Sequence, residues 1–230
     1  MDNDGFLGAI RNVTNNDWVI IVIIVNLIIF IIGRILHQTH INSVFKTGIY
    51  MRSLNVHQKG RNIIIDNATA WLLGVTGVNV TLFIYYCLKY WKTYLFVENT
   101  LFQFFLYGLI IMGFSLMKYI LIKLSGLLFD KRNLFKEYLI NKYVYFQILG
   151  IIILPLVCII PFVPEYLERI LIYLTIICFI IVYLISIYRS IQIFNSKQFF
   201  KLYMIMYLCA LEILPILVLG KFFYSLIYIE

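Results

Sequence analysis

The chain has 230 residues, of which 63% are hydrophobic, 17% aromatic and only 13% charged, against about 25% charged in ordinary globular domains. That balance excludes a soluble fold and leaves no stretch for a separate soluble domain, so residues 1–230 read as one membrane domain. The net charge of +8 is assigned to bilayer topology rather than to nucleic acid, because lysine and arginine gather in the cytoplasmic loops of membrane proteins.

Residues 1–17 are polar, with Asp2, Asp4 and Asp17, and contain no basic n-region. The apolar run 18–36 lacks a small-residue cleavage site and predicts a retained helix capped by Asn16 or Asp17, not a signal peptide. Residues 37–67 form a basic loop with Lys46, Arg52, Lys59 and Arg61. Within it Ile41, Val44, Phe45 and Ile49 have roughly helical spacing, which places part of the loop on the membrane surface. His37 and His40 share a possible helical face there, but a metal site needs further ligands, and the histidines read as solvated.

A second span at 68–88 carries Ala70 and Gly74 four apart, then Gly77. Small residues at that spacing either admit a close helix or are scattered without purpose, and both readings stay open. A short loop with Tyr90, Trp91, Lys92 and Glu98 leads to a third span at 101–124, which contains Lys118. Residues 130–142 are read as a charged connector. The fourth span, 143–162, holds Gln147, Gly150 and Pro155, and the turn Pro161, Val163, Pro164, Glu165 separates it from a fifth at 167–188.

The sixth span, 201–222, carries Glu212 near its middle and Pro215 one turn later on the same face. A carboxylate at that depth costs about 2.5 kcal/mol or more, so it should face protein or water. The proline frees a carbonyl near residue 211 for a neighbouring helix to satisfy. Cys87, Cys158, Cys178 and Cys209 lie in apolar stretches without CxxC spacing and read as space-filling thiols, with a Cys87–Cys158 disulfide as a lesser alternative. The expected fold is therefore all-α, a polytopic membrane bundle of six transmembrane helices.

An even number of spans puts both termini on one side. Thirteen lysines and arginines fall on the side of loops one, three and five, five fall on the other, and Lys118 is within the membrane. This asymmetry predicts periplasmic termini and a cytoplasmic 37–67 loop. Trp18, Trp91, Tyr94, Phe223 and Tyr224 then fall in an outer aromatic belt. With a rise of about 1.5 Å per residue, Asn26, Asn79 and Glu212 sit near the bilayer middle, and Lys118 and Gln147 one to two turns nearer the cytoplasm. Lys118 either snorkels to the surface or turns toward Glu212. Glu212 is either a hydrogen-bonded structural residue, a proton- or ion-carrying group, or a contact with a partner helix.

No GxSxG, phosphate-binding glycine loop or carboxylate cluster is present, and no cofactor, metal site or enzymatic activity is expected. The run Tyr207-Leu-Cys-Ala-Leu-Glu-Ile-Leu-Pro215 resembles the signature of an uncharacterised family of small integral membrane proteins of Bacteroidota, whose last helix reads close to LYLC(T/A)LEILPL. The basic segment after the first span, Lys118, Gly150 with Pro155, and Arg189 are similar as well, and the N-terminus departs most from the pattern. The resemblance implies a multi-pass protein of the bacterial inner membrane serving a lineage-specific envelope process, of the protein-export or secretion type. The expected role is a non-catalytic subunit or assembly factor, with the lipid bilayer and other inner-membrane proteins as partners. The alternative is a small proton- or ion-coupled transporter using Glu212 with Lys118.

The orientation is testable directly. A cysteine introduced between His37 and Asp66 should be shielded from a membrane-impermeant thiol reagent in intact spheroplasts, and one near Asp4 should react; the opposite pattern would invert the topology.

Overall fold

The computed structural model describes residues 17–38, 41–42, 44, 67–91, 100–128, 130, 132–196 and 221. Five α-helices follow in order: α1 (Asp17–Leu36), α2 (Asn67–Tyr90), α3 (Thr100–Leu128), α4 (Arg132–Ile159) and α5 (Glu165–Ser196). A single 3-10 turn, Ile160–Phe162, joins the last two. All five helices are long and apolar enough to cross a membrane, and there is no strand among the described residues. The expected sixth span at 201–222, with Glu212 and Pro215, lies outside the described residues.

Helix α4 begins at Arg132 rather than at 143, so the supposed connector is its first three turns. Charge density marks loops only when no apolar stripe runs through it. Here Leu134, Phe135, Tyr138 and Leu139 make that stripe and pack with Ile122 of α3 and Phe194 of α5. The same cluster explains why α5 continues past 188: Phe194 is fully enclosed. The true α3–α4 turn is centred on Asp130, whose φ of 48° is left-handed and whose amide donates to the Leu127 carbonyl at 3.3 Å. Aspartate is one of the few non-glycine residues that adopts this conformation readily.

Helices α2 and α4 form the centre. In their apolar 18-residue stretches, 67% of α2 and 50% of α4 are buried, against 22%, 11% and 22% for α1, α3 and α5. The centre is built around Leu82, Ile153 and Val157, with Ile172 of α5 closing it. Three threonine hydroxyls inside the bundle are satisfied within their own helices. Thr76 donates to the Leu72 carbonyl at 2.9 Å, Thr81 to Gly77 at 2.9 Å, and Thr175 to Leu171 at 2.7 Å, the usual way such side chains are accommodated in apolar surroundings. At one end of the bundle Trp18 packs edge-on to Tyr85 and against Phe104, and its indole donates to Thr100 at 3.2 Å. Trp18 thus ties α1 to α2 and α3, whereas Trp91 is exposed.

Two glycines set how closely the helices approach. A Cβ at Gly150 of α4 would run into Thr76 of α2, 2.6 Å from both its Cβ and its Cγ2. A Cβ at Gly33 of α1 would enter the indole of Trp71, whose Nε1 donates to the Ile29 carbonyl at 3.1 Å. Among the described residues nothing comes within 4 Å of a Cβ built at Gly74 or Gly77, so the close approaches use Gly150 and Gly33 instead.

Gly150→Ala should therefore lower the thermal midpoint of the purified protein by the equivalent of about 1–3 kcal/mol, since Thr76 is β-branched and stiff. Gly113→Ala, at an exposed mid-helix site with no described atom within 4 Å, should not lower the midpoint, since alanine is the better helix former.

Candidate functional site

Polar side chains in an apolar bundle must find partners, because no water competes for them. In this bundle the requirement produces a relay across three helices. Asn26 of α1 donates through Nδ2 to Oδ1 of Asn79 on α2 at 2.7 Å. Asn79 in turn donates through its own Nδ2 to the Gly150 carbonyl of α4 at 3.1 Å. Asn79 is completely buried and Asn26 nearly so. The Gly150 carbonyl is within reach because that residue has no side chain to hold α2 away.

A second polar contact lies one turn earlier on α4. Gln147 is buried and donates to the Thr69 carbonyl near the start of α2 at 3.4 Å. Counted from the true helix start, Gln147 is fifteen residues in. The relay and the glutamine contact involve α1, α2 and α4. Lys118 is half-buried on α3. The relay contains only amides, so it can orient and lock helices but cannot carry a proton.

Sequence reasoning missed a third polar group, between α4 and α5. Asn141 donates to the Ser186 carbonyl at 3.4 Å and to Ser190 Oγ at 3.3 Å, and Ser190 donates back to Ser186 at 2.8 Å. Arg189, assigned to the cytoplasmic surface by charge counting, is only 5% exposed. Its Nη1 donates to the Tyr145 hydroxyl at 3.1 Å, with the guanidinium 5.7 Å from the ring centre. Lys142 points inward as well, its Nζ 5.5 Å from the Tyr138 ring and 5.6 Å from the Tyr183 ring. Aromatic faces stabilise desolvated cations by up to about 2 kcal/mol. The signal was present as tyrosines at 138 and 145 flanking Lys142 at helical spacing.

The described cysteines Cys87, Cys158 and Cys178 are free thiols. Among the described residues no group of three histidine, cysteine or acidic side chains could hold a metal ion.

A family model described as a domain of unknown function (DUF4271) matches residues 19–223. No curated protein and no solved structure matches the chain.

The relay predicts an order of mutational effects. Asn79→Leu strands the Asn26 amide and removes a donor from Gly150, and should cost about 1–3 kcal/mol. Asn26→Leu leaves Asn79 bonded to Gly150 and should cost about 0.6 kcal/mol, the average for polar contacts in membranes. The double variant should be little worse than Asn79→Leu alone, as read by thermal unfolding in mild detergent; strict additivity would show the bonds to be independent.

Proposed function

We propose a role for this chain, which belongs to the DUF4271 family, as a non-catalytic subunit or assembly factor of a larger envelope complex of Bacteroidota, of the protein-export or secretion type. In this reading it is a six-span protein of the inner membrane with both termini periplasmic. Setting aside Lys142 and Arg189, whose charged ends turn inward, basic residues still favour the cytoplasmic side eleven to five. That ratio supports the orientation.

The observation that carries the subunit reading is the outer face of α3. Only Gln103, Tyr107, Ile122 and Gly126 of the helix are buried, and Phe102, Phe105, Leu109, Met112, Leu116 and Met117 are exposed along it. Gly113 sits in the same stretch and is exposed too. Methionine and phenylalanine adapt to irregular surfaces, and glycine lets a second helix come close, so the face suits a partner helix as well as lipid. The polar relay supports the same reading from within, because its amides hold one another and offer no titratable step.

The competing transporter assigns Glu212 a proton- or ion-carrying role. Gentle solubilisation from the native membrane, followed by mass spectrometry of co-purifying proteins, should give a stoichiometric partner; migration of the chain alone would overturn the subunit reading. Glu212→Gln keeps size and hydrogen-bonding capacity and should accumulate normally and support growth in a deletion background. Full accumulation with complete loss of function would favour the transporter.

A further inference from the structure

Just beyond Leu36 the described residues stay against the bundle. The His37 amide donates to the Gly33 carbonyl at 2.8 Å and the Ile41 amide to the His37 carbonyl at 3.3 Å. The segment then returns to the bundle: Val44 is 3% exposed and packs with Ile140 and Val144 of α4. Ile41, expected to face lipid, is buried as well.

Between the end of α1, this returning segment and α4 lies a cavity of about 300 Å³, lined by Phe30, Arg34, Gln38, Ile41, Asn42 and Ile151. Its lining divides by chemistry. Phe30, Ile41 and Ile151 are buried or half-buried and apolar, whereas Arg34, Gln38 and Asn42 are exposed and polar. None of these three makes a hydrogen bond or ion pair among the described residues. Among the described residues no carboxylate lines the cavity. The volume is that of about ten water molecules in the liquid, at the lower limit of ordinary ligand pockets.

We propose that this cavity binds the anionic headgroup of a phospholipid together with the first part of an acyl chain. A guanidinium presents a planar fork that matches two phosphate oxygens, and two side-chain amides add further donors. An anion free in solution would gain nothing from Phe30, Ile41 and Ile151, whereas an acyl chain is accommodated by them. A choline or ethanolamine headgroup would bring an ammonium beside Arg34, with no carboxylate among the described lining residues to receive it. A headgroup whose phosphate carries the only charge, such as phosphoglycerol, avoids that repulsion. Arg34 is in the last turn of α1, the level at which basic pockets between membrane helices meet headgroups.

The test uses the full chain in neutral detergent, titrated with dihexanoyl phosphatidylglycerol, dihexanoyl phosphatidylcholine or glycerol phosphate, with thermal midpoint as the readout. Phosphatidylglycerol should give a saturable rise that the other two do not. Arg34→Gln should weaken it about tenfold or more, the loss expected for a charge-assisted hydrogen bond. Gln38→Glu, which places a carboxylate at the rim, should weaken it too, and Ile151→Trp should abolish it by filling the space. Arg132→Gln, at an exposed residue outside the cavity, should titrate like the unchanged protein. An equal response to phosphatidylcholine, an equal loss in Arg132→Gln, or a rise with glycerol phosphate matching that with the lipid would each overturn the proposal.

Discussion

Everything in the centre of this bundle depends on the Asn79 amide having somewhere to donate. Asn79 is fully enclosed between α1 and α4, where an unmet donor is worth about 1–3 kcal/mol against the fold. Its acceptor is a backbone carbonyl on another helix at 3.1 Å, at a residue where a Cβ would run into Thr76 of α2. Gly150 and Asn79 are thus one device, a gap and the polar group that reaches through it. Asn26 completes the device by donating to the other end of the same amide, which fixes the rotation of α1 relative to α2.

The remaining helices follow from that pairing. With α2 and α4 held face to face, α3 and α5 pack along their flanks. Their inner residues join small clusters such as Ile122, Tyr138 and Phe194, and their outer faces stay apolar and exposed. The bundle has an apolar interior crossed by a few paired polar side chains, and an apolar exterior as well. Van der Waals contact and hydrogen bonding, rather than exclusion of water, hold the helices together.

The existence and approximate place of the five described helices was legible in the sequence, because each carries a long apolar run. So was the common depth of Asn26 and Asn79, which follows from rise per residue once topology is assumed. Helix ends were not legible where charge and burial coincide. Residues 132–142 contain Lys136, Glu137 and Lys142, yet Leu134, Phe135, Tyr138 and Leu139 of the same segment are buried, and a count of charges cannot see which face they occupy. Arg189 was misplaced for a related reason: a cation near a helix end usually snorkels outward, but this one has a tyrosine hydroxyl and ring above it at Tyr145. The choice between Gly74 and Gly150 as the site of closest approach was also invisible, since it depends on which neighbour carries Thr76 opposite.

The central position of α2 has a consequence for biogenesis. This helix holds Thr69, Thr76, Asn79 and Thr81, all buried, and it leaves the ribosome well before α4 does. During that interval its asparagine has α1 beside it but not the Gly150 carbonyl. The α1–α2 contacts, made by the two asparagines and by Trp71 over Gly33, need only the first two helices, whereas the Asn79 bond to Gly150 waits for α4. The order of synthesis and the order of hydrogen-bond completion coincide in this chain.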